Sequence, residues 1–560
     1  MKLKLELMQM TKKNMADVVT CIGVAAILSV IVFTIPNEIP IGEMAYQKLW
    51  LGRMTVVFVI CSLLSFCLNK KQNLSFPSTV AWVLIALGGI EAAWGMRQIY
   101  GLAVSNHSLY ALTGSFYNPG PYSGYLAITL PVALGILLEQ SKRNMPYYLS
   151  MGCIGTAIVV LPAGMSRSAW IAVVVSCAWV YALYRLDRKQ AATRLRQHKR
   201  WYIIGGILGG ILLLGGSASL YTLKKDSADG RFLMWKITTK AIQKQPITGT
   251  SLGGFPAAYA ETQAEYMASG KATEQEKLVA GCPEYAFNEY LQIGLEQGLV
   301  GLALFIGWLG LLFYKGIKNK RYACCGGLMS LAIFAFSSYP LQLPEFWVVL
   351  IFLGVMSVTP DKDEIRENQA ESNGHRWGKQ IFFMGIAILG IGLFWMQKDH
   401  YKAYQQWNKA QMFYNNKAYE AALEVYEPLY PLLKHKPEFL FEVAQCLSKT
   451  GRYEKANGYL ERAVLLSSDP MLYYVMAKNE QCLGEYRQAE KHLLHAIDIL
   501  PERIYPYYLL MNLYTEPSYF QPAKLKKAID SVLTKKPKVE SSAIKEMKEK
   551  ARSMLNNTSI

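Results

Sequence analysis

Long apolar runs, separated by shorter polar segments, recur along the chain up to about residue 400. Each run covers roughly 17 to 22 residues, which is the length that a helix needs to cross the hydrocarbon core of a bilayer. A helix satisfies its own backbone hydrogen bonds, so such a run predicts a membrane-spanning helix. The pattern predicts about eleven spans, at 18–35, 52–68, 78–96, 122–139, 147–164, 168–184, 202–220, 298–314, 322–339, 345–358 and 380–396.

Charged residues are rare inside these spans. Arg53, Glu139 and Glu345 fall at span ends, where a charged group is expected to reach the lipid headgroups. Glu91 lies further inside a span. A charge in lipid is costly, so we expect the Glu91 side chain to face the interior of the helix bundle.

Beyond the last span the pattern changes to a repeat of roughly 34 residues. Two sets of positions show this spacing independently: Ala410, Ala444, Ala477 and Met511, and also Tyr419, Tyr453, Tyr486 and Phe520. Small residues where helices cross, with a turn at Gly451, resemble the tetratricopeptide repeat, whose units bury their apolar faces by stacking. We therefore expect four helical hairpins within 400–552, and we interpret the lysine-rich tail at 535–552 as a capping helix.

The formal net charge of +18 changes the picture only through its distribution. The basic residues lie mainly in short loops between spans, which indicates topology and contact with membrane lipids rather than with nucleic acid. Loops rich in Lys and Arg stay cytoplasmic, so the amino terminus (1–17) and the linker at 359–379 are predicted to be cytoplasmic and the repeat domain outside. The strongest marker is a loop holding Arg185, Arg188, Lys189, Arg194, Arg196, Lys199 and Arg200.

The ten cysteines predict neither a disulfide framework nor a metal site. Seven lie in or beside apolar spans, where Cys behaves as a small hydrophobe. Cys282 is alone in a long loop, Cys446 and Cys482 belong to different repeats, and none has metal-ligand spacing. The predicted outside loops also lack paired aspartates, so we expect no divalent metal and no other cofactor.

Three stretches on the predicted outer side place polar or glycine-containing sequence directly against a span. The first covers 114–126, and the second covers 166–170. The third begins at 230, passes a glycine-rich turn at 246–255 and ends at 284–292. The loop at 221–287 that carries most of it is too long to be idle, since loops above ~15 residues are usually functional or disordered.

In this order, the three stretches resemble the O-antigen ligase and polymerase superfamily. That superfamily includes lipopolysaccharide O-antigen ligases, Wzy-type polymerases and bacterial protein O-oligosaccharyltransferases, and some members carry an outside tetratricopeptide domain. The resemblance covers roughly residues 15 to 358. It implies an all-α, GT-C-like polytopic domain at 18–358 in the bacterial cytoplasmic membrane, a periplasmic loop at 221–287, a last transmembrane helix at 380–396, and a periplasmic tetratricopeptide α-solenoid.

The activity implied by the resemblance is metal-independent, inverting transfer of a glycan from undecaprenyl-pyrophosphate to a hydroxyl of lipid A core or of a protein. A departing pyrophosphate needs fixed cations, and arginine supplies planar, paired donors that stay charged. Arg167 and Arg231 match family positions implicated in holding the pyrophosphate. We expect Phe232 and Trp235, on the same helical face as Arg231, to anchor that helix.

The general base for the acceptor hydroxyl is less clearly marked. Many ligases of the superfamily place a histidine there, in a His-Asn-x-Tyr-Leu setting. Here Phe287 precedes Asn288, and Tyr285 lies two residues before Phe287, so neither replaces a neutral imidazole. Three interpretations stay open: Glu284 is the base, His107 reaches the site from another loop, or the reaction uses no strong base.

Two asparagines each have two possible roles, one structural and one in binding. Asn288 either caps a helix or binds the acceptor. Asn118 either shapes a turn or contacts the donor. Gly249, Gly253 and Gly254 do not form a nucleotide-binding pattern, so we interpret them as turn residues.

Two other functions remain open beside ligation. One is a Wzy-type polymerase that adds repeat units to a lipid-linked chain. The other is a non-catalytic scaffold, in which the spans merely anchor the repeats for envelope glycan assembly. In every case the repeats are expected to bind a protein, either an acceptor or a partner enzyme.

Overall fold

The computed structural model of the protein describes residues 2–32, 43–68, 76–140, 143–187, 225–360, 376–537 and 539–557. Every regular element in those ranges is a helix, so the predicted all-helical fold class is confirmed. The chain divides into two compact units. The predicted span at 202–220, and most of both the basic loop before it and the linker at 359–379, lie outside the described residues.

The first unit comprises residues 1–223, 287–289 and 304–402. Within the described ranges, nine of the predicted spans each coincide with an apolar helix, and a tenth, at 380–396, lies within the helix Arg376–Asn415. Six of the nine helices are long and apolar enough to cross a bilayer, and three are shorter. In chain order the nine helices are Lys2–Leu28, Glu43–Leu68, Phe76–Ile99, Pro119–Glu139, Met145–Val160, Arg167–Asp187, Gly298–Lys318 (which enters this unit at residue 304), Tyr322–Ala335 and Pro344–Val358.

The predicted ends of the spans at 18–35 and 322–339 are wrong, because the helices end at Leu28 and Ala335. The first helix ends at Leu28 rather than at 35, and the Ser29 hydroxyl there donates to the Ala26 carbonyl, a local bond that competes with helix continuation. At the other end, the predicted span 380–396 is part of one helix, Arg376–Asn415, that runs on into the first repeat. No glycine or proline follows Gly392 in this helix, so no residue there stops it.

Buried polar groups hold the interior of this membrane unit together. Glu91 is fully buried, as predicted; its carboxylate accepts from the Ser115 amide, and its carbonyl accepts from the Tyr122 hydroxyl. The expectation that Glu345 reaches the headgroups is wrong. Glu345 is also buried and accepts a hydrogen bond from Gln47, because the first turn of Pro344–Val358 packs inward. Arg53 is exposed, but it lies within Glu43–Leu68 rather than at its end.

The second unit comprises residues 224–286, 290–303 and 403–560. The long loop contributes three helices to it, Lys225–Lys244, Phe255–Ala268 and Glu274–Val279. The repeats contribute four helical hairpins. The first pairs the end of Arg376–Asn415 with Tyr419–Tyr426; the others pair Pro437–Lys449 with Tyr453–Val464, Met471–Leu483 with Tyr486–Ile499, and Ile504–Leu513 with Pro522–Thr534.

The repeat register read from the sequence is confirmed. The small or apolar positions of the first register are all buried, from Ala410 to Met511. In the second register, Tyr419, Tyr453 and Tyr486 each begin the second helix of a hairpin, whereas Phe520 lies two residues before the helix Pro522–Thr534. A final helix, Ser542–Asn557, buries Ala551 in the core of the last hairpin, so the tail is a cap.

The loop and the repeats share one hydrophobic core. Leu233, Phe255 and Tyr259 from the loop helices pack in the same cluster as Ile499 and Leu500 from the third hairpin. Two segments that bury their apolar side chains in one contiguous cluster belong to the same folded body. The loop and the repeats therefore lie on the same side of the membrane.

Candidate functional site

A tight turn directly precedes helix Arg167–Asp187. Met165 takes a left-handed conformation at φ 47° in this turn, and the Trp170 indole donates to the Leu161 carbonyl across it at 3.1 Å. Gly164 packs closely on helix Pro119–Glu139, since a Cβ there would lie 2.1 Å from Ser123 Oγ. The amino-terminal ends of these two helices therefore meet in the membrane unit.

Arg167 and Asn118 stand at these two helix starts. Asn118 caps Pro119–Glu139, with its side-chain oxygen accepting from the Gly120 amide at 2.9 Å. This bond gives Asn118 a structural role that does not need a ligand. Arg167 is half-buried as the first residue of its helix, where the helix dipole adds to its own charge in favouring an anion.

Residues 287–289 belong to the membrane unit. The buried Glu289 carboxylate accepts from the Leu341 amide at 2.6 Å and from the Gln342 side chain at 3.0 Å. Phe287, at φ 49°, sets its ring 5.0 Å from that of Tyr339. Asn288 is buried directly before helix Glu289–Glu296, the position of a helix cap.

In the second unit, a chain of hydrogen bonds ties Arg231's helix to the segment at 284–286. The Trp235 indole donates to the Ala286 carbonyl at 3.1 Å, and the Ala286 amide donates to Gln292 Oε1 at 2.9 Å. The Gln292 amide group then donates to Glu296 at 3.1 Å. Arg231 lies one turn before Trp235 on the same helical face, so it faces the side on which this segment lies.

The glycine-rich turn is fastened to the end of helix Glu289–Glu296. The Thr250 and Ser251 amides donate to the last carbonyls of that helix, at 2.9 and 3.0 Å. Gly298, at φ 69°, allows the close approach, because a Cβ there would lie 1.9 Å from the Ile247 carbonyl oxygen. The interpretation of this stretch as turn chemistry is confirmed.

Glu296 also contacts the glycine-rich turn. Burial raises the pKa of its carboxyl, while hydrogen bonds from the Gly253 amide, Gln292 and the Phe255 amide lower it. It thus holds the first turn of helix Phe255–Ala268. The spacing of four residues places Gln292 and Glu296 on one helical face, where both support the site structurally. The sequence left structural and acceptor-binding roles open for Gln292 and assigned no role to Glu296.

Glu284 is partly exposed and lies beside the second hairpin of the repeats. Partial burial raises the pKa of its carboxyl, the Glu438 carboxylate raises it further, and the Lys436 ammonium opposes both. Lys436 also hydrogen-bonds the Tyr404 hydroxyl. A carboxylate with a raised pKa is better matched to general-base work near neutral pH.

His107 belongs to a local turn in the membrane unit. Its Nδ1 accepts from the Leu109 amide at 3.0 Å, and its ring packs against Tyr110. The turn reading of this loop therefore has direct support. The third interpretation, in which the reaction uses no strong base, stays a prediction.

The predicted site residues fall into two groups. Arg231, Trp235, Glu284 and Tyr285 lie in the second unit, whereas Asn118, Arg167 and Asn288 lie in the membrane unit. The chain passes from the second unit to the membrane unit and back over residues 286–290. Across the described ranges, no three His, Cys, Asp or Glu side chains converge in a way that would hold a metal ion.

Apolar spans followed by a helical repeat array define a multi-pass membrane protein with a folded domain outside the bilayer. Residues 152–306 match the model of a family described as O-Antigen ligase. Residues 415–496 match that of the anaphase-promoting complex (cyclosome) subunit 3, in the region of the repeats. No curated protein matches the chain.

The chain is thus similar to O-antigen ligases over residues 152–306 and carries tetratricopeptide-type repeats after its last apolar helix, in line with the resemblance seen in the sequence. The matched range contains Arg167, Arg231, Glu284 and Asn288. The match supports a glycosyl-transferring membrane enzyme of the ligase or polymerase type.

Proposed function

We propose that the protein transfers a glycan from undecaprenyl-pyrophosphate to an acceptor hydroxyl at the periplasmic face of the bacterial cytoplasmic membrane. The observation that carries this proposal is the hydrogen-bonded link from Trp235 to Ala286. It joins the helix of the proposed pyrophosphate-binding Arg231 to the segment that bears Glu284. The same folded unit thus carries Arg231, the cation proposed for the leaving group, and Glu284, the carboxylate proposed for the nucleophile.

Arg231 holds the pyrophosphate in this proposal, and Arg167 keeps the same predicted role. Charge grows on the pyrophosphate as the anomeric C–O bond breaks, and preorganised guanidinium donors stabilise that charge more than they stabilise the ground state. At Arg167, the amides that open its helix add to the guanidinium. Neither step calls for a metal ion.

Glu284 is the proposed base. The acceptor hydroxyl attacks the anomeric carbon from the face opposite the departing pyrophosphate, so the configuration inverts. Glu284 takes the hydroxyl proton during this attack. The raised pKa of its carboxyl suits that role better than the pKa of an ordinary solvated glutamate.

The repeats are proposed to recruit a protein, either the acceptor itself or a partner of the same assembly route. Stacked helical hairpins build extended surfaces that suit protein segments. This favours a protein acceptor over lipid A core. Because the loop and the repeats share a core, a periplasmic loop requires periplasmic repeats.

Complementation of a deletion strain tests the proposal. We expect Arg231→Ala and Arg167→Ala to accumulate lipid-linked glycan, with transfer reduced by about 100-fold, the usual loss when one preorganised donor is removed. Glu284→Gln should also fail to transfer. Arg97→Ala, which removes an exposed arginine outside the proposed site, is the matched control and should transfer normally.

The acceptor pool that is lost identifies the subtype. Loss of glycoproteins indicates a protein ligase, loss of decorated lipid A core indicates an O-antigen ligase, and loss of long lipid-linked chains indicates a polymerase. Normal transfer by all three site variants, at wild-type expression, would contradict the proposed site. The anchored scaffold would then be the better explanation.

A further inference from the structure

We propose that the repeat domain positions the segment at 281–286, with Gln263 and Ser468 as the positioning residues. This inference rests on the proposed function, because that segment bears the proposed base. The segment has no regular secondary structure. Its backbone groups therefore need partners from elsewhere in the molecule.

Gln263 is the first of these partners. Its side chain is fully buried, and its amide nitrogen donates to the Gly281 carbonyl at 3.1 Å and to the Ile499 carbonyl at 2.9 Å. The Tyr259 hydroxyl donates to its oxygen at 2.7 Å. One saturated amide group thus joins the start of the segment to the end of the third hairpin.

Ser468 is the second partner. It is buried between the second and third hairpins, and its hydroxyl donates to the Pro283 carbonyl at 3.1 Å. Proline has no amide of its own, so this carbonyl is the backbone hydrogen-bonding group that residue 283 offers. The bond fixes the residue directly before Glu284.

The charges around Glu284 also come from the repeats. Lys436 and Glu438, at the start of the second hairpin, act on its carboxyl in opposite directions. Hydrogen bonds therefore hold the segment at residues 281 and 283. At residue 284, charged groups of the repeats act on the carboxylate. A domain that served only for recruitment would not need to contact this segment.

Hydrogen exchange on the full-length protein in detergent tests the positioning itself. Ser468→Ala removes the donor to Pro283, and we expect the amides of 284–286 to exchange about fivefold faster, the factor expected for one lost neutral hydrogen bond. Ser468→Thr keeps the hydroxyl and should restore protection. Ser448→Ala is the matched control, because the Ser448 hydroxyl bonds only within its own repeat helix.

Kinetics on the same proteins provides the second readout. If the segment is positioned by the repeats, Ser468→Ala lowers kcat with little change in the KM for the lipid-linked donor, and Ser468→Thr recovers kcat. Gln263→Leu should produce the larger effect on both exchange and kcat. Its melting midpoint reports whether the unit still folds.

The outcomes separate this inference from the proposed function. Suppose that the amides of 284–286 exchange faster in Ser468→Ala than in the wild type, but the wild type transfers no glycan. That result would support the positioning and contradict the proposed function. Transfer by the wild type, with unchanged exchange and kcat in Ser468→Ala and in folded Gln263→Leu, would overturn the positioning and leave the function standing.

Discussion

The two units of this protein place their hydrophobic groups and their glycines in opposite ways. In the membrane unit, large apolar side chains such as Leu304 and Ile60 are exposed, whereas Glu91 and Gln98 are buried. In the second unit, the core is apolar, and paired charges such as Arg452 with Glu420 lie on the surface. Each unit has thus been built for a different solvent, and exposure means lipid in one and water in the other.

Glycine shows the same contrast. In the membrane unit, Gly135 packs face to face with Ala323 of a neighbouring helix, which is how membrane helices approach closely. In the second unit, Gly298 serves a turn with a positive φ. The same residue type is used for close packing in one solvent and for chain reversal in the other.

A pair of aspartate substitutions tests the solvent assignment most severely. Leu304 and Leu465 are equally exposed, at 70% and 69%. Leu304→Asp should destabilise membrane insertion by about 3 kcal/mol, because a carboxylate would face hydrocarbon. Leu465→Asp should change stability by no more than about 0.5 kcal/mol. Insertion yield and melting midpoints measure both; equal tolerance would contradict the assignment of Leu304 to lipid.

Helix packing in the membrane unit gives the next largest effect. At Gly135, an added Cβ would lie 2.5 Å from the Ala323 Cβ, so Gly135→Ala should destabilise the unit by about 2 kcal/mol through overpacking. Gly152, on a neighbouring helix, has open space at the same position and is the control. Thermal unfolding in detergent should show a loss for Gly135→Ala alone.

The repeats offer a stabilising substitution. Lys417 occupies the turn of the first hairpin at φ 61°, where Gly451 and Gly484 occupy the equivalent turns of the next two. A left-handed conformation is unfavourable for a residue with a Cβ, so Lys417→Gly should stabilise the repeats by about 1 kcal/mol. Gly451→Ala is the reverse test and should destabilise by a similar amount. An unchanged midpoint in both would show that these turns carry no strain.

The smallest predicted effect is a pair of opposite shifts in pH dependence. A base acts only when deprotonated, so transfer should fall as the pH drops through the raised pKa of Glu284. Glu438→Gln removes a cause that raises this pKa, and the acidic limb should move to lower pH. Lys436→Gln removes a cause that lowers it, and the limb should move to higher pH. Shifts in the same direction would exclude Glu284 as the titrating group.

The sequence predicted the elements that depend on local pattern. Apolar run length located the spans, and two registers of a 34-residue period located the hairpins, because both signals lie within neighbouring residues. Span ends were less certain, as Leu28 and the continuous helix Arg376–Asn415 show. The helix Arg376–Asn415 is continuous because it has no helix-breaking residue after its apolar part, and the length of an apolar run does not show where a helix ends.

The site was only partly predictable, because its supports come from distant parts of the chain. Trp235 was expected to anchor the helix of Arg231, but its bond to Ala286 joins segments that no local pattern relates. The bond from Gln263 to Ile499 spans 236 positions in sequence, and it makes the loop and the repeats one body. The roles of Arg167, Arg231 and Glu284 in chemistry stay predictions.

The most direct test of the central claim is glycan transfer by the purified full-length protein, supplied with undecaprenyl-pyrophosphate-linked glycan and an acceptor. The wild type should consume the donor and release undecaprenyl-pyrophosphate. Arg231→Ala should do so about 100-fold more slowly with an unchanged melting midpoint, and Arg231→Lys should lie between them because it keeps the charge without the planar donors. No donor consumption by the wild type, or equal rates for the wild type and Arg231→Ala, would contradict it.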